Sequence, residues 1–532
     1  MRWSKVLLTA FFGTGLVVYL GSTAACGGAS SGSGFGGSSG GGSGSGGSGG
    51  SSGAGSSSGN SGGSSGGCGI TGCGSSSGGS SGSSSGGGVA CPTGLQCNVS
   101  CSGGGTTTIS GVVYDPAGAD PLYDIAVYVP AVPLVPLPKG VAADACNCAS
   151  LYKSGAVVAT TTGVDGSFKL DNAPVGQNVP LVMQIGKWRK QVMINVTACT
   201  NNAQPAGMLK LPGSVAAGDT NDNMPDIAVS TGGADTLECL MSRIGLPSSE
   251  YSAGAGGAGH VHVFSGGSPG GGGGGGGGVG RPESGWQGAG APESDTTLWN
   301  SQTSLMPYDI LLLSCEGGET YNANPAVLES YLNAGGRAFG SHFHYAWFAG
   351  PLQSGQGYSA PSDWGTNLAS WAPGSGSGIG LFGDIVQTLN GSTQPFAKGV
   401  ALYQWLGLNG ALQAMKLPVT QPKFNAIVGP GNKPSQPWIN YDQNAAGNTA
   451  YFSFDTPVNA PVPADGGAPA YCGRAVFSDL HVSGTDPAPS CNPGPLSPQE
   501  KALEFMLFDL SSCVIPDNVP PTADGGVPPV FQ

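Results

Sequence analysis

The stretch YDILLLSCEGGETYNANPAVLESYLNAGGRAFGSHFH, residues 308–344, decides the fold of the C-terminal half of the chain. Its apolar run at 310–313 predicts a short buried strand. Asn324 and Pro325 are typical of a helix start, and Gly335 is typical of a helix end. A second strand then begins at residue 337. This order predicts a βαβ unit, whose strands run parallel in one sheet.

A second strand–helix unit precedes this one. Residues 227–229 predict a buried strand, and Asp235 with Glu238 forms a candidate capping box for the helix that follows. Apolar residues recur on one face of that helix, at Leu237, Leu240, Met241 and Ile244. The alternation of strands and helices therefore continues on the N-terminal side.

The same alternation closes the chain. CGRAVFSDLHVSG predicts another strand, and the last helix opens with the capping box Ser497-x-x-Glu500. We therefore predict that residues 222–515 form an α/β domain with a flavodoxin-like, doubly wound parallel sheet. Insertions are expected at about 265–297 and 351–471, where the sequence is rich in Gly, Pro and Trp.

Residues 89–212 follow a different pattern. Apolar and polar residues alternate from about Thr106 onward, with turn signals between the runs. Asp165-Gly166 stands between two such runs and predicts a β-hairpin. No helical period is present, so this part is predicted to be an antiparallel β-sandwich.

The N-terminus has the organisation of an export signal. Residues 1–25 combine basic residues, an apolar run and small residues, and the end of this segment resembles a bacterial lipoprotein signal. Cys26 is therefore the expected site of lipidation, and the alternative is ordinary signal cleavage nearby with Cys26 free or disulfide-bonded. Residues 26–88 are almost entirely Gly and Ser, which predicts a disordered, flexible tether. A Pro-rich tail is expected at 516–532. These features predict an exported protein at the outer membrane or cell surface, held to the membrane by a lipid anchor.

The composition fits export and excludes one class of partner. The chain has 14 cysteines, which are expected to form disulfides in an oxidising compartment. Cys146 and Cys148 cannot pair with each other without strain, so each is expected to reach another segment. The net charge is −13 with no basic stripe, so nucleic acid is not an expected partner.

Two resemblances follow from these motifs. The run ISGVVYD at 109–115 and the later DGSF at 165–168 resemble the carboxypeptidase regulatory-like (transthyretin-like) domain, whose members are non-catalytic modules of secreted proteins. YDI…EGG, GGR…SH and GRAVFSDLH resemble the class I glutamine amidotransferase-like superfamily, with trehalose-utilisation-type members as the nearest likeness. That resemblance implies a catalytic cysteine after the fourth strand, where this chain has Ser341.

The carboxyl ends of parallel strands share one crevice, so the polar residues that follow them are candidates for chemistry. Ser341 is a candidate nucleophile, with His342 or His481 as its base and Glu316 nearby. The bulky Phe343 disfavours a nucleophile turn. Cys315 is expected to be buried or disulfide-bonded, with Cys239 as a nearby partner, although a reactive thiol is an alternative.

A metal site is the second possibility at the same crevice. If the strand continues through residue 344, His342 and His344 share one side, and His481 and Asp479 leave a neighbouring strand. These four residues would suit zinc or another divalent ion. The alternative is that the histidines only form hydrogen bonds in an aromatic pocket, so no cofactor is the default expectation. The aromatics Tyr345, Trp347, Trp364, Trp371, Trp405 and Trp438 predict core packing, with a sugar-binding face as the alternative.

The sequence thus favours a binding or structural role at the cell surface, with a carbohydrate or protein ligand. The alternative is a secreted hydrolase, with or without a metal ion, that acts on carbohydrate or cell-wall material.

Overall fold

The computed structural model describes residues 91–518, except 233, 268–294, 374–375, 377–379, 421, 443–447, 463, 465–468, 482–490 and 492–493. The expected signal peptide, Cys26 and the tether lie outside the described residues, as do most of the insertion at 265–297 and the tail from 519 onward. No helix in the described part is both long enough and apolar enough to cross a membrane.

The N-terminal part contains two four-stranded sheets. Their strands are β1 (Thr108–Tyr114), β2 (Ala126–Pro130), β3 (Ala156–Thr161), β4 (Ser167–Asp171), β5 (Gly176–Ile185), β6 (Trp188–Val196), β7 (Asn201–Ala203) and β8 (Leu209–Lys210). One sheet has the order β3-β2-β5-β6, and the other is built on β1, which pairs with β4, β7 and β8. The β-rich expectation is confirmed, although β7 and β8 pair with β1 in parallel.

The turn at Asp165-Gly166 is not the predicted hairpin. The preceding strand β3 pairs with β2, whereas the following strand β4 pairs with β1 in the other sheet. The turn therefore carries the chain from one sheet to the other. The prediction of a turn at Asp165-Gly166 was correct. Which strands pair with each other is determined by long-range packing of their apolar faces, which the turn residues do not encode.

The C-terminal part contains one ten-stranded sheet and a two-stranded ribbon. Their strands are β9 (Ile227–Ser230), β10 (Tyr251–Ala253), β11 (Val261–Phe264), β12 (Ile310–Leu313), β13 (Arg337–Ser341), β14 (Ser370–Trp371), β15 (Leu381–Ile385), β16 (Leu417–Val419), β17 (Ala426–Ile427), β18 (Ser435–Tyr441), β19 (Thr449–Thr456) and β20 (Gly473–Ser478). The large sheet has the order β10-β11-β9-β12-β13-β20-β19-β18-β15-β16, and β14 pairs with β17.

The large sheet is mixed rather than wholly parallel. The strands from β10 to β20 in this order are parallel, whereas β19, β18, β15 and β16 are antiparallel to their neighbours. The antiparallel strands all come from the predicted insertion at 351–471. They cover β20, which would otherwise be an edge strand with unpaired backbone groups. The expectation of a purely parallel sheet was therefore wrong on this side.

Within the described residues, seven α-helices pack on this sheet or connect its strands. They are α1 (Leu237–Arg243), α2 (Asp295–Leu298), α3 (Gln302–Leu305), α4 (Pro325–Asn333), α5 (Tyr345–Ala349), α6 (Ala397–Leu408) and α7 (Pro498–Ser511). The Asn324 side chain caps α4, and Ser497 with Glu500 forms the predicted capping box of α7. The capping box predicted for α1 does not form, because the N-cap residue is Thr236 rather than Asp235 and makes no side-chain cap hydrogen bond. The Asp235 carboxylate accepts hydrogen bonds from the Thr236 backbone and from Ser341.

Side chains of the central strands alternate between two apolar layers. One face, which includes Val229 and Leu312, joins a core with α1, α7 and the β-sandwich. The other face, which includes Leu311 and Leu313, packs with α2, α3, α4 and α5. Helices therefore cover both faces of the parallel strands, as the near-continuous apolar runs of these strands require.

The β-sandwich and the sheet share the core around α7. Trp188 of β6 contacts Phe508 at a ring distance of 5.7 Å. Gly186, at the tip of the β5–β6 turn, has a φ of +53°. A Cβ atom there would lie 1.8 Å from the Ser511 carbonyl oxygen, so only glycine fits this close approach. The described residues accordingly belong to one compact unit.

Five disulfides are present in the described part. They are Cys91–Cys97, Cys101–Cys199, Cys146–Cys472, Cys148–Cys513 and Cys239–Cys491. Cys146 and Cys148 thus reach two distant segments, as their spacing predicted. The expected neighbour of Cys315 is engaged elsewhere, because Cys239 bonds Cys491. Cys315 is the one described cysteine without a disulfide, and it is buried.

The buried Asp115 gives the stability a distinctive pH dependence. Its carboxylate accepts hydrogen bonds from the backbone N–H groups of Ala119 and Asp120, but burial outweighs them and raises its pKa to about 6. A raised pKa in the folded state stabilises the protein below the unfolded-state pKa of about 4, and that contribution is lost as pH rises through about 6. Asp115→Asn retains the acceptor oxygen without the charge.

The free energy of unfolding of Asp115→Asn should rise relative to that of wild type as the pH increases. We expect this difference between the two proteins to be about 2 kcal/mol larger at pH 7 than at pH 4, because each pKa unit corresponds to about 1.4 kcal/mol. Urea unfolding at both pH values measures this difference. The exposed Asp171→Asn is the control and should show no such change. A constant difference between Asp115→Asn and wild type at both pH values would refute the explanation.

Candidate active site at the strand ends

The carboxyl ends of four parallel strands adjoin one another. Leu313 at the end of β12 lies in register with Ser230 of β9 and Gly340 of β13, and Ser341 lies in register with Ser478 of β20. The polar residues that follow these strands are therefore neighbours. This convergence is the one that the strand–helix pattern predicted.

The chain turns sharply where β13 ends. The strand stops at Ser341, and His342–His344 form a single 3-10 turn that leads into α5. His342 has a φ of +46°, which is a strained conformation for a residue with a side chain. Gly340 contributes to the turn, because a Cβ atom there would lie only 3.1 Å from the Phe348 ring of α5.

The turn separates the two histidines that were expected to share one side. The expectation required the strand to continue through residue 344, and it was wrong because β13 ends three residues earlier. The strained residue of the turn is also His342 rather than Ser341. An imidazole therefore occupies the position at which a strand-to-helix turn would present a nucleophile.

A thiol and two imidazoles meet at the centre of this region. Cys315 follows β12, His342 follows β13 and His481 follows β20. One ligand atom from each residue lies within 4.8 Å of the other two, and all three side chains are buried. The Cys315 Sγ atom lies 3.3 Å from His342 Nδ1, and the rings of His342 and His481 are 5.2 Å apart.

The spacing of Cys315 and His342 fits two ligands of a tetrahedral zinc site. Zinc–sulfur and zinc–nitrogen bonds of about 2.3 and 2.0–2.1 Å place two such ligands about 3.5 Å apart at a tetrahedral angle. The observed distance of 3.3 Å between Cys315 Sγ and His342 Nδ1 is close to this value. A thiol–imidazole hydrogen bond also accounts for that pair by itself, but not for the presence of His481.

Ser341 is not arranged as a nucleophile. Its hydroxyl is fully buried and donates a hydrogen bond to Asp235 Oδ2 over 3.0 Å. Among its described hydrogen bonds the side chain has no histidine partner, so neither His342 nor His481 is hydrogen-bonded to it as the predicted base. The prediction of Ser341 as a catalytic residue finds no support in this geometry.

His344 and Glu316 form a pair beside the cluster. His344 Nδ1 lies 3.0 Å from the Ser341 carbonyl oxygen, and its Nε2 lies 3.5 Å from Glu316 Oε1. The Thr320 hydroxyl also contacts Glu316, and Trp347 Nε1 donates to Thr320. The predicted metal ligand His344 and the predicted catalytic Glu316 therefore lie next to the cluster and engage each other.

Asp479 borders the cluster without joining it. Its Oδ2 atom accepts a hydrogen bond from the backbone of Asn425 over 2.9 Å. Burial raises the pKa of Asp479 to about 7, although the hydrogen bond from the Asn425 backbone opposes this rise. Asp479 was predicted as a metal ligand, but the compact group is formed by Cys315 with the two histidines.

The aromatic residues form core rather than a sugar-binding face. Five of the six are fully or almost fully buried: Tyr345, Trp347, Trp364, Trp405 and Trp438. Trp371 is half-buried and stacks on Phe348 at 6.3 Å. The prediction of core packing is confirmed for the buried five.

Sequence reasoning did not place Cys315 with the two histidines. Its placement directly after β12, adjacent to the strand that carries His342, was the signal that could have found it. The histidines His260 and His262 lie outside the cluster. His260 Nδ1 pairs with Glu250 Oε2 at 2.6 Å, and His262 Nδ1 lies 2.9 Å from the Gly254 carbonyl oxygen.

Comparison with known proteins identifies no family. No family model matches the chain, and no curated protein matches it. Among solved structures, a type II cohesin–X-dockerin complex from Acetivibrio cellulolyticus shares 15% identity over 28% of this chain and 76% of that chain, with a TM-score of 0.14. A β-galactosidase from Rahnella sp. R3 shares 10% identity over 54% of this chain and 31% of that chain, with a TM-score of 0.26. Neither likeness is close enough to bear on function.

Proposed function

We propose that this protein is an exported, lipid-anchored surface protein whose α/β part binds one zinc ion and uses it for hydrolysis. The observation that carries the proposal is the meeting of Cys315, His342 and His481 from three strand ends within 4.8 Å. The donors are one thiolate and two imidazoles, a set that zinc prefers. Carbohydrate or cell-wall material is the proposed substrate class, in keeping with the expected surface location.

Three protein ligands leave one position of a tetrahedral site open, which is the pattern of catalytic zinc rather than structural zinc. Zinc in such a site lowers the pKa of a bound water to about 7 and so supplies a nucleophile at neutral pH. Cys315 and the two histidines would hold the ion, and all three side chains are buried. Burial raises the pKa of the neighbouring Asp479. Shifted pKa values of this kind are common among residues at functional sites.

The strand order supports a distant relation to amidotransferase-like proteins without their chemistry. With the short β10 set aside, the parallel strands β11, β9, β12, β13 and β20 follow the order 2-1-3-4-5, which is typical of flavodoxin-like sheets. The resemblance implied a cysteine nucleophile after the fourth strand. Ser341 is engaged with Asp235 there, and His342 occupies the strained turn, so glutaminase activity is not part of the proposal.

A non-catalytic binding role is the second candidate. It is favoured by the lack of an activated nucleophile at the turn after β13. In this alternative, the same crevice binds a carbohydrate or protein ligand at the cell surface.

The zinc proposal predicts the metal content of the purified chain. We expect elemental analysis to find about one zinc ion per chain after loading and dialysis. Cys315→Ser and His481→Ala should each lower zinc affinity by at least about 100-fold, because each removes one of only three protein ligands. His260→Gln removes a histidine outside the cluster and is the matched control. Metal-free wild-type protein, or equal zinc content in all variants, would contradict the proposal.

A further inference from the structure

The Glu316–His344 pair connects the two turns that carry Cys315 and His342. Glu316 immediately follows Cys315 in the chain, and His344 lies two residues after His342. The pair spans 3.5 Å between Glu316 Oε1 and His344 Nε2. Its members are 7% and 0% exposed, so solvent screens their interaction little.

The turn after β13 needs such support, because His342 is held in a strained conformation. A residue with a side chain at positive φ costs about 1–3 kcal/mol and persists only when its surroundings fix it. The hydrogen bond from His344 Nδ1 to the Ser341 carbonyl oxygen closes the turn around His342. A relaxed turn would move the His342 ring away from Cys315.

The direction of each hydrogen bond in this group follows from its chemistry. Trp347 Nε1 can only donate, so Thr320 accepts from it and its hydroxyl proton is directed to Glu316. The Ser341 carbonyl can only accept, so His344 Nδ1 donates to it. The contact of 3.5 Å between His344 Nε2 and Glu316 Oε1 then brings the imidazole against the carboxylate that accepts from Thr320.

We propose that Glu316 and His344 are positioning residues that fix His342 opposite Cys315 and His481 in the centre. The inference rests on the proposed zinc site for its function and on the described contacts for its geometry. It reassigns both residues, which the sequence suggested as a catalytic group and a metal ligand. Outer partners of this kind typically change metal affinity by about 10–100-fold when they are removed.

The chain contains a matched control for this pair. Glu250 and His260 form a second carboxylate–imidazole contact of 2.6 Å, in a part of the sheet that holds no residue of the cluster. Glu316→Gln and His344→Gln can therefore be compared with Glu250→Gln. Any loss of stability from breaking a carboxylate–imidazole pair should appear in all three variants. A displaced His342 should appear only in Glu316→Gln and His344→Gln.

Two measurements on the full mature chain test the proposal. Zinc affinity, from competition with a chelator, should fall about 10–100-fold in Glu316→Gln and in His344→Gln. The double variant should be no weaker than the single ones, because both residues act through one contact. The second measurement is alkylation of metal-free Cys315 by iodoacetamide, followed on its own peptide by mass spectrometry. Its rate should rise at least about fivefold in the same variants, because the loosened turn exposes the thiol.

The outcomes separate this proposal from the zinc site. If wild-type protein binds no zinc but the Cys315 alkylation rate rises in both pair variants, the positioning role stands and the zinc site fails. If zinc binds and its affinity in both pair variants matches that of Glu250→Gln, the zinc site stands and the positioning role is overturned. Zinc-binding defects that add fully in the double variant would also overturn it.

Discussion

Replacing Arg474 with methionine is expected to lower the free energy of unfolding by about 3–5 kcal/mol, because it leaves buried carboxylates without their cation. The Arg474 guanidinium is 2% exposed. It contacts Asp455 at 2.7 Å, Asp509 at 3.2 Å and Asp517 at 3.1 Å. These contacts join β20, β19, α7 and the residues that follow α7.

Urea unfolding of the Arg474→Met variant measures this effect. Lys169→Met is the control, since Lys169 pairs with Asp171 at the surface and is 64% exposed there. Exposed pairs contribute about 0–1 kcal/mol, so this control should change stability little. Arg474→Lys should restore only part of the loss, because an ammonium group cannot bond two carboxylates in the forked geometry of arginine. Equal effects of the Arg474 and Lys169 variants would refute this view.

The two disulfides from the Cys146-Asn-Cys148 segment are expected to have the second large effect. They close loops with sequence separations of 326 and 365 residues. Cross-links that close long loops restrict the unfolded chain most, and native disulfides typically contribute about 2–5 kcal/mol each. Replacing Cys146 and Cys472 together by serine should therefore lower the melting temperature markedly, as should replacing Cys148 with Cys513.

The Cys91–Cys97 disulfide is the matched control, because its sequence separation is only 6 residues. Replacing that pair by serine should cost clearly less stability by the same loop-closure argument. Thermal unfolding under oxidising conditions compares the three double variants. A loss for the Cys91–Cys97 pair as large as for the long-range pairs would show that loop closure is not the cause.

Elements with a local signature could be predicted from the sequence. The helix caps at Asn324 and Ser497 were found because capping depends on residues three positions apart. The antiparallel strands of 351–471 were not resolved, because their pairing depends on partners far away in the chain. The turn at Asp165-Gly166 shows the same limit: its residues form a turn, but the strands beside it pair with others.

The candidate site was predictable in its location and in two of its members, His342 and His481, but not in the third, Cys315. The strand ends could be aligned because consecutive parallel strands place their carboxyl ends together. Both His342 and His344 were predicted as ligands, but β13 ends at Ser341, and only His342 joins the cluster. Cys315 was expected to be buried or disulfide-bonded; it is buried, and its strand places it beside His342.

Anomalous X-ray scattering at the zinc absorption edge, from crystals of zinc-loaded mature protein, tests the central claim most directly. We expect a single strong peak bounded by Cys315 Sγ, His342 Nδ1 and the imidazole of His481, at about 2.0–2.3 Å from each ligand atom. No peak at this position, or a peak bound by His344 and Glu316 instead, would contradict the proposed centre.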